Sequence, residues 1–218
     1  MQQELRIFQP TVLLGGGHPL STIALQNIDG VQDTVFTGAG NDEVDLAFNS
    51  NARNNIIDTG SGNDKIYVSR NDRAFGSDGN EEFDARDGKG ENRMSGGAGD
   101  DTFYLGSNDR ALGGNGNDKF FVGLGGGNLL SGGAGADQFW IVNAELPKAA
   151  NTVLDFQVGT DVIGISGAKS LGITTANLTL TQVGSDTSIM FGGQTLAMLS
   201  GIQASTLSVT NPNQFVLA

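Results

Sequence analysis

The sequence predicts an all-β chain wound as a parallel roll, and three observations predict it. Glycine occurs 34 times in 218 residues, about double its usual share of roughly 7%. Glycine is costly to order and weakens ordinary helices and strands, so a chain this rich in it must turn tightly and often. Large apolar residues recur throughout at regular intervals, which argues against disorder. The chain also repeats itself, and internal repetition decides the fold class before anything else does.

Six segments align: GAGNDEVDL from Gly38, GSGNDKIYV from Gly60, SDGNEEFDA from Ser77, GAGDDTFYL from Gly97, GNGNDKFFV from Gly114 and GAGADQFWI from Gly133. Five read G-x-G-x-D-x-U-x, where U is a large apolar residue. The third has Ser77 for the first glycine and Glu81 for the aspartate. Asp42, Asp64, Glu81, Asp101, Asp118 and Asp137 fill one column, with Gly40, Gly62, Gly79, Gly99, Gly116 and Gly135 two residues before. Between these segments lie degenerate copies that keep the apolar position, so one coil comprises two nonapeptides. Each nonapeptide supplies a glycine-rich turn and a short strand with one inward side chain, and stacked coils sit about 4.8 Å apart.

This repeat resembles the RTX (hemolysin-type calcium-binding) nonapeptide, over about residues 30–142. The resemblance implies a right-handed parallel β-roll that binds several Ca2+ ions in a protein exported through a type I channel. The residue pattern agrees with calcium. Stacking puts the acidic column of each coil over the next, and two bare carboxylates about 5 Å apart repel by roughly 3 kcal/mol at an effective dielectric near 20. A cation between rungs reverses that sign, and calcium takes six to eight carboxylate and carbonyl oxygens in tolerant geometry. The metal-site residues expected are Gly38, Gly40, Asp42, Gly60, Gly62, Asp64, Ser77, Gly79, Glu81, Gly97, Gly99, Asp101, Gly114, Gly116, Asp118, Gly133, Gly135 and Asp137. The plainer reading is a solvated acidic edge. With a core of about one large side chain per nonapeptide, the repeats are expected to be largely unfolded without metal.

One sheet should bury Val44, Ile66, Phe83, Phe103, Phe120 and Phe139, the other Val35, Ile57, Phe75, Met94, Leu112 and Leu130. On the second edge the matching column reads Asp33, Asn55, Arg73, Asn92, Arg110 and Asn128. Arginine offers calcium no acceptor, so little calcium is expected there, with Asn ladders or Arg pairs to Asp72 and Asp109 in its place. Outside the Phe-rich sheet, Tyr104, Phe121 and Trp140 fall on consecutive rungs. They form either a stacking platform for sugar rings or a surface on which a terminal segment docks.

The chain divides by composition into a lead-in (1–28), the roll (29–142) and a β-rich C-terminal cap (143–218). Thr152–Gly167 resembles the segment that follows the last repeat in many RTX proteins. By that resemblance Asp155 and Asp161 close a final calcium site or cap the stack; they also read simply as turn aspartates around Gly159. The resemblance makes residues 143–218 the carrier of an uncleaved type I secretion signal, and Phe215–Ala218 also reads as a last cap strand.

A net charge of −12 with 24 acids against 12 bases disfavours nucleic acid as a partner. No cysteine is present for a disulfide framework or a thiolate site, and no apolar run is long enough to span a membrane. His18 is the sole histidine and stands in a turn-like stretch. GLGGGN at Gly123 lacks the Lys-Ser/Thr of a phosphate-binding loop, and no nucleophile is paired with a base. The function expected is therefore a secreted, extracellular calcium-binding protein with a structural or binding role and no catalysis. The alternatives are a polysaccharide-binding module and the non-catalytic tail of a secreted hydrolase. Open coil ends offer a route to self-association.

Overall fold

The computed structural model describes residues 12–14, 24–26, 31–47 and 51–218; His18 and most of the lead-in lie outside them. Strands alternate between two sheets. The early ones are short: β1 (Val12–Leu14), β2 (Ala24–Gln26), β3 (Thr34–Phe36), β4 (Glu43–Asp45), β5 (Ile56–Asp58) and β6 (Lys65–Tyr67). Then come β7 (Arg73–Asp78), β8 (Glu82–Asp84), β9 (Arg93–Ala98), β10 (Thr102–Ser107), β11 (Arg110–Asn115), β12 (Lys119–Gly126), β13 (Leu129–Ala134) and β14 (Gln138–Asn143). β15 (Asn151–Val153) and β16 (Val162–Ser166) continue the pattern before α1 (Ala168–Leu171), β17 (Leu178–Val183), β18 (Asp186–Phe191), β19 (Gln194–Leu199) and β20 (Phe215–Leu217).

Odd-numbered strands pair in parallel from β1 to β15 and even-numbered ones from β2 to β16, so the chain crosses to the other sheet after every strand. The result is a parallel β-roll. β19 pairs with β15 and β20 with β16, both in parallel, so the C-terminal segment extends both sheets. The antiparallel strands β17 and β18 then finish the odd sheet.

Glycine is required where coils touch. Gly116 holds φ +132, and a Cβ there would lie 2.0 Å from the Gly99 carbonyl oxygen of the coil before. Gly60 and Gly62 meet the carbonyls of Gly38 and Gly40 in the same way, each at 1.9 Å. Turn backbones this close leave room for no side chain, and the positive φ excludes most residues besides. Ser77, at φ +84, holds the same conformation without being glycine.

The core lies between the sheets, and the expected even-sheet column is fully buried. Phe83, Phe103, Phe120 and Phe139 stack in near-parallel planes with centroids 4.8, 4.9 and 5.0 Å apart, and Phe156 tilts across the end of the row. A second inward column, absent from the sequence reading, stands two residues along. Leu46, Val68, Ala85, Leu105, Val122, Ile141 and Ile165 are all buried. The core is therefore thicker than one side chain per nonapeptide.

In the odd sheet Val35, Ile57, Met94 and Leu130 are buried as expected, but Phe75 and Leu112 are not. They are 43% and 42% exposed, and Ala74 and Ala111 take the inward positions. The polar column of the second edge shifts likewise, with Asp72 and Asp109 standing where Arg73 and Arg110 were expected. The reason is a competition settled by magnitude. Turning Phe75 inward would gain roughly 1.5–3 kcal/mol. It would also force Arg73 into the buried polar column, and an uncompensated buried charge costs several kcal/mol. The polar column wins, and the apolar side chain goes outside.

Phe103→Ala should therefore cost roughly 3–5 kcal/mol in urea unfolding, whereas Phe75→Ala should stay within about 0.5 kcal/mol of the parent. Gly116→Ala combines backbone strain with overlap and should cost roughly 2–5 kcal/mol. Gly184→Ala, at φ +62 with nothing within 4 Å, carries only the strain.

Candidate metal-binding edge

Each G-x-G-x-D turn leads into an even strand, and the aspartate stands two residues before the inward apolar residue. The two-residue period of a strand puts both on the same face. Asp64, Glu81, Asp101, Asp118 and Asp137 are accordingly buried, each at most 2% exposed. Their backbones and side chains form a ladder. The Glu81 N–H donates to Asp101 Oδ1 (2.8 Å), Asp101 to Asp118 (2.8 Å), Asp118 to Asp137 (2.9 Å) and Asp137 to Asp161 (3.0 Å). Asp42 donates to Asp64 (2.7 Å) in the same sense.

Asp64, Asp101, Asp118 and Asp137 each use one oxygen in this way and leave the other. Oδ2 of Asp64, Asp101, Asp118 and Asp137 and both oxygens of Glu81 are buried without a hydrogen-bond donor. Their surroundings are specific. A Cβ built on Gly96 would meet Asp101 Oδ2 at 1.8 Å and the Gly113 carbonyl oxygen at 2.8 Å. One built on Gly113 would meet Asp118 Oδ2 at 2.0 Å and the Gly132 carbonyl at 2.6 Å. At Gly76 the same position faces Glu81 Oε2 and the Gly96 carbonyl, at 2.6 and 2.8 Å. In each case an unspent carboxylate oxygen and a carbonyl from the next coil converge on a glycine. Among the described residues no three His, Cys, Asp or Glu side chains cluster as a metal site. The donors alternate instead between carboxylate and backbone, all of them oxygen, which is the donor set of a hard cation such as calcium.

Buried acids without donors resist ionisation. Burial, reinforced by the neighbouring Asp101, pushes Glu81 up to about 9. Burial likewise lifts Asp118 to about 7 and Asp101 and Asp137 to about 6, and it raises Asp64 and Asp161 as well. The Glu81 rung departs most from the pattern, because its longer side chain carries both oxygens past the position where an aspartate accepts the ladder bond.

The second edge is built differently. Asp33, Asn55, Asp72, Asn92, Asp109, Asn128 and Asn151 form a ladder in which each backbone N–H donates to the next residue's Oδ1, at 2.8–3.2 Å. Here the remaining oxygens are spent: Asp72 Oδ2 accepts from the Ser69 N–H and Asp109 Oδ2 from the Gly106 N–H. Burial still lifts Asp109 to about 6 and raises Asp72, but neither offers a cation an idle oxygen. Asp33 and an Asn ladder were expected on this edge; Asp72 and Asp109 as ladder members rather than partners of the arginines, and the outward position of Arg73 and Arg110, were not.

A third, exposed ladder joins Asn41, Asn63, Asn80, Asp100 and Asn117, running across the turns. It fixes the N–H groups of the turn residues just before the acidic column, and its recurrence in the N-D pairs went unread in the sequence.

Asp155 and Asp161 lie at the C-terminal end of the edge. Asp161 continues the acidic column and spends its second oxygen on the Gln157 N–H (2.7 Å). Asp155 accepts from the Gly132 and Gly133 N–H groups and from the Ser131 hydroxyl. Both carboxylates are engaged with protein donors.

The outer aromatic column is a stack of rings on consecutive rungs. Tyr104, Phe121 and Trp140 are half-buried because they stack on one another, at 5.3 and 6.0 Å with near-parallel planes. The Arg86 guanidinium lies 4.6 Å over Tyr104 at one end, and the Gly164 backbone lies against Trp140 at the other.

The raised carboxylates set a pH dependence for the metal-free chain. Unfolded Asp and Glu titrate near 4, so folding raises these groups. Their stabilising protonation is complete below about pH 4 and lost as pH rises through about 6, 7 and 9. In chelator, whatever β signal circular dichroism shows at pH 5 should be lost by pH 8; a β signal that holds or grows to pH 8 would contradict the buried column.

A family profile for the RTX calcium-binding nonapeptide repeat matches four stretches, residues 32–47, 49–69, 84–109 and 120–140. No curated protein matches. Among solved structures, the extracellular lipase LipA from Serratia marcescens is similar at 15% identity and a TM-score of 0.31, over 88% of this chain. The chain spans 41% of that protein's length, and a likeness this distant carries no argument here. The four matched copies contain Asp42, Asp64, Asp101 and Asp137 of the acidic edge, and the roll carries RTX calcium-binding nonapeptide repeats.

Proposed function

We propose that this chain is a calcium-dependent structural or binding module of a secreted protein, whose roll folds as ions fill the acidic edge. The observation that carries the reading is the column of buried carboxylate oxygens without donors, those of Glu81, Asp101 and Asp118 set beside a carbonyl of the next coil. Bound calcium supplies positive charge between rungs. The ligands proposed are Asp64, Glu81, Asp101, Asp118 and Asp137, with Asp42 by its place in the column and the carbonyls of the paired turn glycines. Several ions fit such a column, one between successive rungs. Asp155 and Asp161, their oxygens already bonded, are assigned to closing the column.

The role is non-catalytic: the repeats form a scaffold, and the sequence pairs no nucleophile with a base. It also suits the tail of a secreted hydrolase. Export through a type I channel by residues 143–218 rests on the family resemblance. In that scheme 1–28 lead into the roll of 29–142, and low calcium inside the cell keeps the chain unfolded until it emerges. β17, at the open edge of the odd sheet, is the element proposed for any self-association.

A calcium titration from chelator, followed by far-UV circular dichroism with magnesium as control, tests the reading. A cooperative gain of β signal in calcium alone is expected. At pH 8, where the buried acids must ionise, a chain already folded in chelator, or folded equally by magnesium, would refute it. Gly113→Ala, whose methyl would fill the space between Asp118 Oδ2 and the Gly132 carbonyl, should raise the calcium midpoint at least about tenfold.

A further inference from the structure

Away from both edges, the outer face of the odd sheet carries a second ladder of charge, of the opposite sign. Arg73, Arg93 and Arg110 stand in register on β7, β9 and β11, and all three are exposed. In a chain with twice as many acids as bases, none of the three pairs with a carboxylate among the described residues. Arg70 and Arg86, by contrast, hold Glu91 and Asp84. Two residues along the same strands, Phe75 and Leu112 are exposed, with the small Ser95 in register between them. These residues line an open groove of about 320 Å³. Neither feature serves the calcium edge. The arginines lie outside the buried ladder, and the apolar pair was turned outward by it.

The spacing selects the class of ligand. Arginine on every rung offers a planar fork about every 4.8 Å, suited to carboxylates held in bidentate fashion. Phe75 and Leu112 offer apolar surface every second rung, about 9.6 Å apart. An extended acidic peptide presents its same-face side chains about 6.6 Å apart and falls out of step. Duplex DNA advances about 3.4 Å per phosphate on each strand and offers no flat apolar face beside them. A linear polyuronate in an extended two-fold form turns successive carboxylates to opposite sides, so those facing the sheet recur on every second ring, close to two rungs apart, in step with the apolar residues on which ring C–H faces can lie.

We propose that this groove binds a linear acidic polysaccharide along the axis of the roll. Arg73 and Arg110 take the carboxylates of alternate rings, Arg93 donates to hydroxyl and ring oxygens of the ring between them, and Phe75 and Leu112 lie against the same alternate rings. The aromatic column of the even sheet, its ring faces engaged with each other, is not the site. The proposal needs the folded roll and so rests on the calcium-dependent module above.

The test is titration of the calcium-loaded full chain with oligogalacturonate, with neutral dextran, poly-glutamate and oligo-dT as comparators. Circular dichroism is recorded for every variant. Oligogalacturonate should bind with an affinity that falls as salt rises, and dextran should not bind. The triple variant Arg73→Gln, Arg93→Gln, Arg110→Gln should lose at least about tenfold in affinity, and Phe75→Ala should weaken binding with its salt dependence unchanged. Trp140→Leu should bind as the parent does. Undiminished binding by the triple variant, or binding of poly-glutamate or oligo-dT as tight as that of the uronate, would overturn the proposal. A parent chain that fails to fold in calcium would count against the module reading instead. If a variant alone loses its β signal, Arg93→Gln by itself, with a severalfold loss expected, decides the matter.

Discussion

The structure depends on a buried column of acids whose oxygens are divided between two tasks. One oxygen of each aspartate accepts the backbone N–H of the preceding coil and sets the register of the stack. From Asp64 to Asp137 the other has no donor, and at Asp101 and Asp118 it lies beside a carbonyl of the next coil. Such an arrangement is destabilising in isolation, since an unmet buried acceptor costs about 1–3 kcal/mol and more when charged. The glycines follow from the same demand: a Cβ at Gly96 or Gly113 would occupy the space where the unspent oxygen and the carbonyl meet.

The two edges answer one problem in different ways. Each must place a polar side chain on the core side of every coil to satisfy a buried backbone N–H. The second edge dilutes its charge, setting Asp72 and Asp109 among Asn55, Asn92 and Asn128 so that carboxylates stand two rungs apart. Each of these aspartates spends its second oxygen on an N–H three residues earlier in its own turn. The first edge puts an acid on every rung and no donor beside its second oxygen. One edge is complete within the polypeptide, and on the proposed reading the other is completed by a cation.

Much of this was legible in the sequence because the acidic repeat is strict. G-x-G-x-D-x-U fixes turn, ladder and core residue at once, and the even-sheet column was read without error. The degenerate copies were harder. NDRAF and NDRAL place an arginine and a large apolar residue two apart, which reads as ladder then core. One residue earlier, aspartate and alanine offer the same spacing. Apolar size favoured Phe75 and Leu112, whereas the backbone N–H of the neighbouring coil required an acceptor, and that requirement prevailed. The second inward column escaped notice because Leu46, Val68, Ala85 and Leu105 share no size or type, only a position. Asp155 could not be placed, because its partners are the turn N–H groups of Gly132 and Gly133, distant in sequence.

The ladders also give the roll a polarity. In both buried columns the N–H of one coil donates to the side chain of the coil that follows it. Cut at its N-terminal end, the stack would show water an acceptor, which water satisfies at little expense. Cut at its C-terminal end, it would strand a donor inside. The two ends are therefore not equivalent, and only one demands a lid. That lid is present: Asp161 takes the last acidic-edge donor, Gln157 holds Asp161, and β19 and β20 extend both sheets past it.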